Sequence, residues 1–126
     1  MVRQLLGKLI EQSPGLTLQG SAESAEEALE YLANDKRPDL ALVDISLPGM
    51  DGIELIGIMK ERWPEILTLA VSGHDESLYA RAAFKAGARG YVMKGKLVSV
   101  REAIRQVVDG GRYVSEGLGG RDEYFG

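Results

Sequence analysis

Three residues whose types suit joint chemistry each follow an apolar run: Asp44 after "LALV", Ser72 after "ILTLAV" and Lys94 after "GYVM". A carboxylate, a hydroxyl and an ammonium are the parts of a phosphoryl site. The carboxylate acts as nucleophile or metal ligand, the hydroxyl hydrogen-bonds a transferred phosphoryl oxygen, and the ammonium pairs with its charge. Singly, each has a plainer reading, since Asp and Ser are ordinary where a strand gives way to a turn and Lys is ordinary at any surface. The same placement on three successive runs is what favours the chemical reading.

The segments that must position these residues alternate in kind. "VRQLLGKLIEQ" at 2–12 spaces Val2, Leu5, Leu6, Leu9 and Ile10 as a helix, and "SPG" stops it. "LTLQGSA" reads as a short strand. Ser24 with Glu27 three residues on forms a capping box that opens a helix over "AEEALEYLAND". "DLALVD", "ILTLAVS" and "RGYVMK" read as strands, and their mostly unbroken apolar character predicts a parallel sheet covered on both faces. Helices are predicted at 52–63, at 76–87 with Gly87 as the stop, and from 97 to Gly110. Strand-helix alternation with short loops predicts a doubly wound α/β domain over residues 1–110. Ligands of such sheets sit beyond the carboxyl ends of the strands, where Asp44, Ser72 and Lys94 all fall. Residues 111–126 are Gly-rich without period and read as a linker or C-terminal tail.

Composition narrows the function classes. The 126 residues carry 15 basic and 19 acidic side chains, a net charge of −4, with no Lys/Arg run, which argues against direct nucleic-acid contact by this segment. The absence of cysteine excludes disulfides and thiolate metal sites. Without a long apolar run or a signal-like start, the expectation is a cytoplasmic protein that does not engage membrane. No G-x-G-x-x-G or P-loop follows any strand, which disfavours nucleotide binding.

Four segments taken together, "LALVDISLPGMDGIEL", "AVSGHDE", "KAGARGYVMKG" and "AIRQVVDGGRYVS", resemble a response-regulator receiver domain of two-component signalling, of the type attached to LuxR-type helix-turn-helix outputs. The resemblance runs from residue 1 to about 115. It implies a flavodoxin-like receiver fold and a signalling role rather than an enzymatic one. Asp44 would be the phosphoacceptor, charged by a sensor histidine kinase. Ser72 would be the switch hydroxyl, Lys94 would pair with the phosphoryl group, and Tyr91 would be the aromatic that swings inward. Pro48 and Gly49 would shape the loop after Asp44, and the Ser46 backbone carbonyl would join Asp44 in ligating Mg2+. The family also commonly forms homodimers through exposed helical faces, and Val98 and Val108 are available for this on the last helix.

The sequence departs from the family in two places. Receivers begin with a hydrophobic strand followed by an acidic pair that holds the metal, and neither is present, because Met1 falls where the family's first helix starts. Asp51 and Glu54 lie too far along the next loop and helix to stand in. The expectation is therefore weak or absent Mg2+ and a strand-completing oligomer, with the absent strand belonging between "LTLQGSA" and "DLALVD". Gly95 also follows Lys94 where many receivers have proline.

Other residues carry plainer expectations. His74 is read as a surface residue beside the site rather than a ligand, and Trp63 as packing the end of its helix. Met50, Met59 and Met93 are read as filler. Tyr91, apart from the resemblance, is a half-buried strand residue at a sheet edge. Leu97, Val100, Ile104 and Val107 form a core-facing stripe. Beside the phosphoacceptor reading stand two others: a receiver-like interaction module that takes no phosphate, and an aspartyl-nucleophile phosphatase. The latter wants a second acid two residues after the nucleophile, where Ser46 stands.

Overall fold

The computed structural model describes residues 24–34, 38–45, 52–72, 77–93 and 97–114. The helix expected at 2–12, the strand expected at 16–22 and the gap expected beside it lie outside these residues. Through them the chain runs α1 (Ala25–Ala33), β1 (Leu40–Asp44), α2 (Gly52–Arg62), β2 (Leu67–Ser72), α3 (Ser77–Ala86), β3 (Gly90–Met93), α4 (Leu97–Val108) and β4 (Tyr113–Val114).

Local chemistry sets the helix ends. Ser24 caps α1 by accepting the Glu27 N–H at 3.1 Å, and its carbonyl accepts the Ala28 N–H at 3.0 Å. Gly87 ends α3 at φ +123°, with the Gly87 N–H bonded to the Phe84 carbonyl and the Ala88 N–H to the Ala83 carbonyl, both at 3.0 Å. Gly110 ends α4 in the same way at φ +94°, with bonds from Gly110 to Val107 and from Gly111 to Gln106. Both are Schellman endings, which satisfy the last helical carbonyls and need a residue tolerant of positive φ.

The four described strands are parallel and ordered β1-β2-β3-β4. Their register divides the side chains between two faces. Val43, Ala70 and Tyr91 join the cluster built with Leu55, Ile56 and Met59 of α2 and Ala80 and Ala83 of α3. Leu69, Val71 and Val92 pack on the other face against Val100, Ala103, Ile104 and Val107 of α4. Burial on both faces explains the nearly unbroken apolar strands. Trp63 is buried at the end of α2, its N–H bonded to the Met59 carbonyl at 2.7 Å.

Two expectations are corrected. Residues 111–126 were expected to be a linker or C-terminal tail, yet Tyr113 and Val114 form β4 of the sheet, pairing with Gly90 and Tyr91. After the Gly110 ending the chain turns back along β3, and the Tyr113 N–H reaches the Arg89 carbonyl at 3.2 Å. Two residues are too short a stretch to show a period. The second correction follows from the first. Tyr91 is not a half-buried edge residue, because β2 and β4 flank it on both sides and its exposure is 0%.

Candidate functional site

β1 ends on Asp44. Val43 is buried, whereas Asp44, the last residue of the strand, is half-buried. Pairing continues one step beyond it, since the Ile45 N–H donates to the Val71 carbonyl at 3.1 Å and the Ile45 side chain is buried. Asp44 stands opposite Val71, and Ser72, which ends β2, stands opposite Met93. Adjacent parallel strands lie about 4.8 Å apart and rise about 3.3 Å per residue, which separates the Asp44 and Ser72 Cα atoms by about 6 Å. Alternation assigns Asp44 to the face of Leu40 and Leu42, and Ser72 to the face of Ala70 and Tyr91. The two residues therefore flank the lip of the sheet from opposite faces, with Asp44 accessible to solvent and Ser72 at 0% exposure.

The structure brings Asp44 and Ser72 to the carboxyl end of the sheet, with Tyr91 two residues short of it on β3, opposite Ala70. Lys94 follows Met93 directly in the chain but lies outside the described residues, as do Ser46, Pro48, Gly49, Met50, Asp51, His74 and Gly95. Among the described residues, no group of three or more His, Asp or Glu side chains comes together. They do not by themselves make the acidic pocket that Mg2+ requires beside Asp44.

Gly52 is a neighbour of the site that the sequence reading missed. It opens α2, is buried, and lies against the peptide that leaves Asp44. The available signal was the Asp-Gly pair in "GMDGIEL", which reads as turn chemistry and gives no hint of what the glycine touches. The crevice lined by Lys60, Thr68, Gly87 and Arg89 sits at the other pole, where β2 and β3 begin, and is not part of the Asp44 site. Val108 is half exposed on α4. On the same helix the Arg105 guanidinium donates two hydrogen bonds to Glu102, at 2.6 and 2.8 Å, and holds that carboxyl below its ordinary value.

Comparison with known proteins gives a consistent result. The family model for the response regulator receiver domain matches residues 1–106. The response regulator GacA of Pseudomonas syringae pv. syringae (strain B728a) is 35% identical over 116 residues, which are 91% of this chain and 54% of that protein. The nitrate/nitrite response regulator NarL of Escherichia coli K12 is 34% identical over 121 residues, 94% of this chain and 55% of that protein. The chain thus spans about half the length of the curated relatives it matches. Among solved structures, a LuxR-family two-component response regulator from Aurantimonas sp. SI85-9A1 superposes with a TM-score of 0.87 at 33% identity, covering 93% of this chain and 84% of that one.

Proposed function

Because the chain belongs to the response regulator receiver domain family, we propose that Asp44 accepts a phosphoryl group from the phosphohistidine of a sensor kinase and that the modified domain changes its association or drives an output. An Asp44 carboxylate oxygen attacks phosphorus as the P–N bond breaks. The acyl phosphate stays on Asp44, and the departing imidazole nitrogen takes up a proton. The Ser72 hydroxyl then donates to a phosphoryl oxygen, the Lys94 ammonium pairs with its charge, and Tyr91, on the face of Ser72, is the coupled aromatic.

The observation that supports this reading is the alignment of strand ends. Asp44 and Ser72 close neighbouring parallel strands, and Met93, one residue before Lys94, stands opposite Ser72. Receiver domains generally bind Mg2+, and response regulators are in general signalling proteins rather than enzymes, with histidine kinases as partners and dimers formed by some. No described helix is long and apolar enough to cross a membrane. A cytoplasmic location, a homodimer that uses the Val108 face, a receiver unit that takes in β4, and a linker or tail after Val114 belong to the same proposal.

The test is to incubate the protein with a small phosphoramidate donor and Mg2+ and map the modification by mass spectrometry. Label on Asp44 that disappears in Asp44→Asn is expected. Label on another residue, or label that survives Asp44→Asn, defeats the assignment. A chain that folds but takes no label favours the unphosphorylated interaction module. Continuous release of phosphate from simple esters favours the phosphatase.

A further inference from the structure

We infer that Gly52 is a positioning residue for the Asp44 carboxylate, because the entry of α2 rests at Gly52 on the peptide that leaves Asp44. The inference rests on the reading of Asp44 as the phosphoacceptor. A β-carbon built on Gly52 would stand 2.5 Å from the Ile45 Cα and 2.9 Å from the Asp44 carbonyl carbon, with the Asp44 carbonyl oxygen nearer still. Carbon atoms in good contact lie about 3.5–4.0 Å apart. A methyl group at position 52 therefore drives the helix entry and the strand exit apart by about 1 Å. The three nearest atoms are all backbone, so no change of rotamer relieves the clash with them. The requirement is for space and not for an unusual backbone angle, since Gly87 and Gly110 are the positive-φ glycines among the described residues.

The same peptide is held from the other side. β2 fixes it through the 3.1 Å bond from the Ile45 N–H to the Val71 carbonyl, and the buried Ile45 side chain anchors it in the core. Held between β2 and Gly52, the Asp44–Ile45 peptide fixes the direction in which Asp44 leaves the strand, and with it the place of the carboxylate relative to Ser72. In-line transfer needs the reacting atoms about 3–3.5 Å apart and aligned, and a displacement of about 1 Å lowers such rates by about 100-fold. Gly57, in the same helix, shows the contrast, since a β-carbon there meets nothing within 4 Å.

The experiment measures initial labelling rates for wild type, Gly52→Ala and Gly57→Ala over a range of phosphoramidate concentrations with Mg2+, with the labelled residue mapped and the fold checked by circular dichroism. Gly57→Ala is expected to match wild type. For a folded Gly52→Ala, the maximal rate is expected to fall 10- to 100-fold, with the half-saturating donor concentration changed by less than about twofold. A merely structural role would not produce that division. Equal maximal rates in folded Gly52→Ala and wild type overturn the inference. Wild type that takes no label on Asp44 overturns the phosphoacceptor reading instead. If Gly52→Ala does not fold, or wild type takes no label, amide exchange on wild type decides. An Ile45 N–H protected like that of Val43 supports the held peptide, and exchange at the rate of an exposed loop overturns it.

Discussion

Truncating Tyr91 to alanine tests how the interior of the site is built. Tyr91 heads the fully buried side chains by volume, and its register partners are the small residues Ala70 and Val114. The buried cluster around it also contains Ala80, Ala83 and Ala88, so one ring fills space that the alanines leave. An aromatic side chain buries about 150–250 Å². At about 25 cal/mol per Å² this amounts to about 4–6 kcal/mol, less what the remaining alanine still buries. Aromatic-to-alanine changes in cores lose about 3–5 kcal/mol, which is the magnitude expected for Tyr91→Ala. With a urea slope of about 2 kcal/mol per M, the unfolding midpoint should fall by about 2 M. Tyr91→Phe keeps the ring and should lose only about 1 kcal/mol. Urea melts of the three proteins followed by circular dichroism measure both changes. A loss below about 1 kcal/mol for Tyr91→Ala would refute the claim that the ring is a core element. It would instead favour a ring that spends its time outside and swings in, as the family resemblance implies.

Two further outcomes concern helix ends and surface charge. Gly87→Ala should lose more stability than Gly110→Ala. Both force alanine into positive φ, at about 1–2 kcal/mol, but at Gly87 the new methyl also meets the Lys60 stem, with Cβ and Cγ at 3.1 Å, while at Gly110 nothing lies within 4 Å; equal urea midpoints would refute the added term. Glu102→Gln should lower the unfolding midpoint near pH 7. The folded carboxyl is depressed by its hydrogen bonds from Arg105 and Gln106, so its contribution is complete above the ordinary carboxylate range and disappears as the pH falls through the depressed value. Wild type and variant should converge in acid and at high salt, and a gap independent of pH would show that the pair does not act through charge.

What was legible in the sequence depended on how far each cause lies along the chain from its effect. Ser24 with Glu27, Gly87 and Gly110 act on backbone within five residues, so the helix ends were readable. The strands β1 to β3 were readable because burial on both faces leaves an apolar run with nothing to interrupt it. β4 was hidden by its length. Its consequence, the full burial of Tyr91, was hidden with it, because the depth of a strand residue depends on which strands flank it. Gly52 was hidden for a related reason: its space is restricted by the backbone of Asp44 and Ile45, which only the return of α2 over β1 brings into contact.

The placement of the site follows from the same covering of the sheet. Along β1 and β2, α2 and α3 cover one face and α4 the other, and Val43, Ala70 and Val71 are buried accordingly. A carboxylate at any of those positions would lose its hydration without gaining a partner, a loss far larger than a strand end demands. Asp44, one residue beyond the buried Val43, is half-buried, and there a charge keeps contact with water. Ser72 is neutral and tolerates complete burial one step further along its neighbour. The difference in exposure also orders events in the proposed chemistry. A donor arriving from solvent meets the carboxylate and not the hydroxyl, so Ser72 acts on the phosphoryl group only once Asp44 carries it. Under the proposed function, the hydroxyl would then read out the modification.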